Sequence, residues 1–110
     1  FTGKSSQVDA DHVVPLSYAF QHQGASWSKE LKQQFANDPE NIIIVSAKYN
    51  RQKSDSGPSE WMPPLQSYRC EYLSRFDAVM RKYGLVHTSG ELRVLKKMHA
   101  ACKLPAPFAA

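Results

Sequence analysis

Cysteine is nearly absent: only Cys70 and Cys102 occur, too few for a zinc site built on Cys-x-x-Cys pairs. There is no apolar run near the ~20 residues that a membrane span requires; the longest is Ile42–Val45. Residues Phe1–Asp9 lack the charged-then-apolar order of a signal peptide, so either none existed or the mature fragment begins after it. Internal repeats and low-complexity tracts are missing too. Charge of one sign is scarce, with a net of +4 at neutral pH. Such a surplus suits a polyanionic partner, but many proteins that bind none carry as much.

What is present fits one domain, residues 1–110. A chain of this length buries roughly 60–70% of its unfolded surface, which allows a modest core. Val8–Val14 reads as an extended segment stopped by Pro15, which cannot donate to a sheet ladder. A polar connection, Gln21–Ser26, leads to Ser28 as the N-cap of a helix that Asn37-Asp38-Pro39 ends. Ile42–Val45 is the best strand in the chain, and Ser46 caps a short helix through Lys53. Beyond residue 65 the pattern is helical. Tyr68, Tyr72, Phe76, Val79, Met80 and Tyr83 form one apolar stripe, and Gly84 stands at the C-cap. Thr88 and Glu91 have capping-box spacing ahead of a last helix that reaches Cys102. Leu104–Ala110 is expected to be a loose tail. By spacing alone, the two cysteines fit a disulfide or two buried thiols equally well.

The chemistry-bearing residues lie in two places. Asp11-His12-Val13-Val14-Pro15 sets a hard oxygen donor beside a group that titrates near neutrality. Asn41 and Asn50 bracket the strand and the first turn of the helix after it, in the run Asn50-Arg51-Gln52-Lys53-Ser54-Asp55. Either piece alone is weak, since a lone histidine is usually structural and asparagines are common in turns.

Taken together, these pieces resemble the HNH (ββα-metal) endonucleases, in the form with asparagine at the last motif position. Asp11-His12-Val13-Val14-Pro15, Asn41 and Asn50-Arg51-Gln52-Lys53 fall in the family's order. The segment from Asn50 to Asp55 is similar to the HNH domain of CRISPR effector nucleases. The phrases His12–Leu16, Phe35–Asn41 and Pro58–Pro64 are similar to small secreted bacterial HNH proteins. Ser54 departs from the latter, which often have glycine there.

The resemblance implies an α+β fold: a short antiparallel strand pair and a metal helix (core about 8–55) surrounded by further helices (about 65–102). It implies a divalent-metal-dependent endonuclease that hydrolyses DNA, with RNA possible and little sequence preference. In that reading His12 is the general base, Asp11 and Asn50 hold one Mg²⁺ or Mn²⁺, and Asn41 orients His12. Lys53 belongs to the catalytic set and, with Arg51, to the phosphate contacts. Asp9 is a candidate outer partner of the metal. The chemistry agrees: a neutral imidazole can take a proton from water, and one carboxylate with one amide suits a weakly held hard cation rather than Zn²⁺. The alternative from another class is a catalytically silent nucleic-acid-binding or toxin-associated module. His22, His87 and His99 match no motif position and are expected at the surface or in helix packing. The phrase around Cys70 resembles the cysteine-bearing helix of the secreted group, which favours a Cys70–Cys102 bridge. An exported, secreted or periplasmic bacterial protein follows, with the cytoplasm as the alternative.

Overall fold

The computed structural model describes residues 8–22, 24–63 and 66–109, the side chains of Val8, Asp9 and Ala47 excepted. Strand β1 (Val8–His12) pairs antiparallel with β2 (Ile42–Ser46), with His12 opposite Ile42 and Asp11 opposite Ile43. Helices α1 (Leu16–Gln21) and α2 (Lys29–Ala36) separate the strands. Short α3 (Ala47–Lys53) follows β2 directly, and α4 (Gln66–Tyr83) and α5 (Ser89–Ala101) complete the chain. Two strands and a helix, wrapped by further helices, make the α+β fold with a ββα core.

Local chemistry sets the element boundaries. Ser28, Ser46 and Thr88 each accept a backbone N–H of the helix they precede, and Glu91 closes a capping box with Thr88. Gly84 ends α4 at φ +65, and the Leu85 N–H reaches back to the Met80 carbonyl at 2.9 Å. The core joins Val13 and Val14 after β1, Tyr18 and Ala19 of α1, and Phe35 of α2 to Tyr72, Phe76, Val79 and Met80 of α4. Burial of each such side chain is worth roughly 1.5–3 kcal/mol. The residues that follow β1 are therefore themselves core, and the core fixes where that strand ends.

One element is added and one expectation needs correction. The polar connection is preceded by α1, a helix whose N-cap, Pro15, makes no side-chain cap bond. The tail is not loose through Phe108. Its N–H donates to Asp77 at 2.7 Å, the Arg81 guanidinium lies 5.1 Å from its ring centroid, and Pro107 is buried. Asp77 and Arg81 sit one turn apart on α4 and together hold the segment down. Cys70 and Cys102 are joined by a disulfide, tying the start of α4 to the end of α5.

Candidate active site

The site is assembled from its supports inward. Asp38, buried, accepts from Lys82 at 2.8 Å and Tyr83 at 2.6 Å, both at the end of α4. Burial alone would raise its carboxyl, but those two donors and the Glu40 N–H hold it below the usual carboxylate value. Asp38 thereby fastens the 3₁₀ turn Pro39–Asn41. Asn41 is fully buried and serves one residue with both ends of its amide. Its Oδ1 accepts the Val14 N–H at 2.7 Å, and its Nδ2 donates to the Val14 carbonyl at 3.0 Å. Its own carbonyl accepts from the Val13 N–H at 2.8 Å. The chain just past His12 is thus pinned at three points.

His12 lies 2.8 Å through Nε2 from the carbonyl of Ala36, the last residue of α2. Helix C-termini leave such carbonyls without intrahelical partners. A carbonyl can only accept, so Nε2 carries the hydrogen and, in the neutral ring, Nδ1 keeps its lone pair. Asp11 precedes His12 on β1 and is mostly buried. Its Oδ2 accepts from the Lys53 ammonium at 2.7 Å, and that ammonium also bonds the His12 carbonyl.

Lys53, a candidate for the phosphate contacts, points into the protein. It is 1% exposed, at the end of α3, and its ammonium is spent on Asp11, the His12 carbonyl and the face of the Tyr72 ring. Burial lowers its affinity for a proton, and the hydrogen bond and charge of Asp11 oppose that. Arg51 is exposed on the same helix.

An open cleft of about 520 Å³ brings together Asp11, His12, Asn50, Ser54 and Asp55 with Ser17 of α1. Asp55 was missed by sequence reasoning, although it closes the Asn50–Asp55 run. Ser17 Oγ donates to it at 3.4 Å, a long contact at an exposed position. The candidate metal ligands Asp11 and Asn50 therefore share one concavity with the imidazole. Both donors are hard oxygens, but Lys53 occupies one oxygen of the carboxylate. No group of three or more His, Cys, Asp or Glu side chains fit to hold a metal occurs among the described residues. Such a set fits a loosely held hard cation that completes its shell with water and phosphate oxygens, not a tight zinc site. The Asp9 side chain lies outside the described residues.

His22, His87 and His99 are not at the surface: all three are buried. His22 Nδ1 meets the Tyr18 carbonyl at 2.6 Å and its Nε2 meets Glu91 at 2.8 Å, while His87 Nδ1 meets the Tyr18 hydroxyl at 2.7 Å. His99 donates to the Pro105 carbonyl at 2.9 Å. The Tyr18–His87 and His22–Glu91 contacts join the α1 region to the start of α5. These two contacts are invisible in sequence because each joins residues 69 positions apart.

A family model described as GmrSD restriction endonucleases, C-terminal domain, matches residues 1–98. An "Uncharacterized secreted protein" of Arthroderma benhamiae is 45% identical over 100 residues, which cover 89% of this chain and 49% of that protein. The chain thus spans about half the length of this curated relative. No solved structure matches it.

Proposed function

We propose that this chain, which belongs to the family of GmrSD restriction endonuclease C-terminal domains, is a metal-dependent endonuclease that hydrolyses phosphodiester bonds of DNA with little sequence preference. The observation that carries the reading is the orientation of His12. With Nε2 donating to Ala36, the basic Nδ1 is the nitrogen left for catalysis, in a ring that shares its cleft with Asp11 and Asn50.

In this reading His12 Nδ1 takes a proton from a water whose oxygen bonds to phosphorus as the bond from phosphorus to the 3′-oxygen breaks. General-base help of this kind is worth typically 10²–10⁴-fold. Asn41 acts through His12 by holding the loop, and Lys53 acts through Asp11 by holding its carboxylate. A divalent cation, Mg²⁺ or Mn²⁺, would be held by Asp11 and Asn50 and, when bound, would neutralise charge at the phosphate and the leaving oxygen. Arg51, exposed on α3, is a candidate for a backbone phosphate contact. The Cys70–Cys102 bridge and the secreted relative support an exported protein.

A plasmid-nicking assay tests the reading. Wild-type protein is expected to nick in Mg²⁺ or Mn²⁺ and not in chelator. His12→Ala is expected to lose at least about 10²-fold in rate while binding DNA as before. Asn50→Ala and Asp11→Ala are expected to demand more metal or to be inactive. Undiminished cutting by His12→Ala would remove the general base and with it this mechanism.

A further inference from the structure

A second concavity lies against β2: an apolar groove of about 680 Å³, within the roughly 300–1,000 Å³ typical of ligand clefts. Its walls are Ile44 of β2, Tyr49 of α3, Trp61 and Pro63 of the connection, and Tyr68 and Tyr72 of α4. Ile44 and Tyr49 are 61% and 41% exposed, large apolar surfaces that the core does not use. Asp11 lines both this groove and the polar cleft. Tyr49 and Lys53 stand one turn apart on α3, and the Lys53 ammonium lies 5.7 Å from the centroid of the Tyr72 ring. Groove and cleft therefore adjoin at Asp11, the residue that lines both.

We propose that this groove seats unpaired bases of the strand whose backbone occupies the cleft, making single-stranded DNA the preferred substrate. The proposal rests on the nuclease reading and specifies its substrate. Aromatic faces stack on any base, so affinity gained there is indifferent to sequence, and a duplex keeps its base faces inside and cannot offer them. Charge decides between a strand and a second copy of the chain. Arg69 sits at the rim, its Nε donating to the Pro63 carbonyl at 2.8 Å, and Arg75 acts on the Tyr68 hydroxyl. Glu71 and Asp11 are the acidic groups that also act on Tyr68. The two carboxylates balance the two arginines locally, so the discrimination rests on the chain's net charge of +4, which favours a phosphate backbone over a copy carrying the same charge.

The test is fluorescence anisotropy of a labelled short oligothymidylate and of a duplex of equal length, with the 110-residue chain in chelator so that nothing is cut. The single strand is expected to bind about tenfold more tightly than the duplex. Tyr49→Ala is expected to weaken single-strand binding about tenfold, Tyr49→Phe to stay within about twofold, and duplex binding to hold in both. Should Tyr49→Ala fail to fold, Ile44→Asp on the exposed strand face is expected to weaken single-strand binding similarly. Equal affinity for the two nucleic acids, or wild-type single-strand affinity in Tyr49→Ala, overturns the proposal. So does self-association by light scattering that Tyr49→Ala abolishes, since the groove is then a contact between copies. Metal added afterwards separates the two readings. Binding through Tyr49 with no cutting supports the groove and sinks the nuclease; His12-dependent cutting with Tyr49→Ala binding like wild type does the reverse.

Discussion

A lysine ammonium taken out of water is costly unless oxygens replace its hydration, and Lys53 finds them in Asp11 and in the His12 carbonyl. The pair is interdependent, since either partner alone is a buried, uncompensated charge. Lys53→Met is therefore expected to lose about 3 kcal/mol or more of unfolding free energy in a urea titration. Lys53→Arg is not expected to rescue it, because a planar fork does not fit a site built for a point charge. A Lys53→Met protein with wild-type stability would show that the pair contributes nothing. Asp11, His12, Asn41 and Asn50 were legible as residues because their types and order are chemically restrictive. The placement of Lys53 was not, since lysine is among the residues least often buried and its spacing on α3 suits a surface contact equally well. The Asp38 support was hidden for another reason: Lys82 and Tyr83 meet it from 44 and 45 positions away.

At the scale of elements, the boundaries written in local chemistry were readable and those written in tertiary contacts were not. Ser28, Ser46 and the Thr88–Glu91 box announce α2, α3 and α5. By contrast α1 is six residues long and uncapped by a side chain, and the tail is ordered by Asp77 and Arg81 from α4. Ser54, the residue that turns the chain out of α3 toward Asp55, has φ 49 and ψ −126, a region disfavoured by any Cβ. Ser54→Gly relieves that strain at some cost in unfolded-state entropy, so a net gain of about 1 kcal/mol is expected in a thermal or urea melt. A loss on this substitution would mean that the serine side chain is needed more than the strain costs. The bridge between α4 and α5 closes a span of 32 positions. Replacing both Cys70 and Cys102 by Ala is expected to cost about 3–4 kcal/mol in the chain-entropy account. Denaturation midpoints that coincide for the bridged and Ala forms would dispose of that contribution.

The whole molecule is closed by the buried network between α1 and α5, and this makes its stability depend on acid. His87 faces Tyr18 of α1 and His22 just beyond it, Phe76 and Asp77 from α4, and Glu91 and His99 from α5. Burial pushes its affinity for a proton down to about 4 from an ordinary 6.5, with His22 and His99 assisting and the carboxylates of Glu91 and Asp77 opposing. The folded state therefore binds the proton less readily than the unfolded chain. The stabilisation is complete above about pH 6.5 and is lost as pH falls toward about 4. Over that interval the loss is on the order of 3 kcal/mol. Glu91 adds a loss of the same sign at lower pH. Burial raises its carboxyl, but the Thr88 N–H and the two histidines bring it below its ordinary value. Because Leu16 and Ser17 of α1 line the cleft, loosening α1 would also take that wall apart. Urea titrations across this range are expected to show the wild-type protein weakening steadily between about pH 6.5 and about 4. His87→Gln keeps an acceptor for the Tyr18 hydroxyl but cannot take up the proton, so its curve is expected to be much flatter over the same interval. Parallel curves for the two proteins would place the acid sensitivity somewhere other than His87.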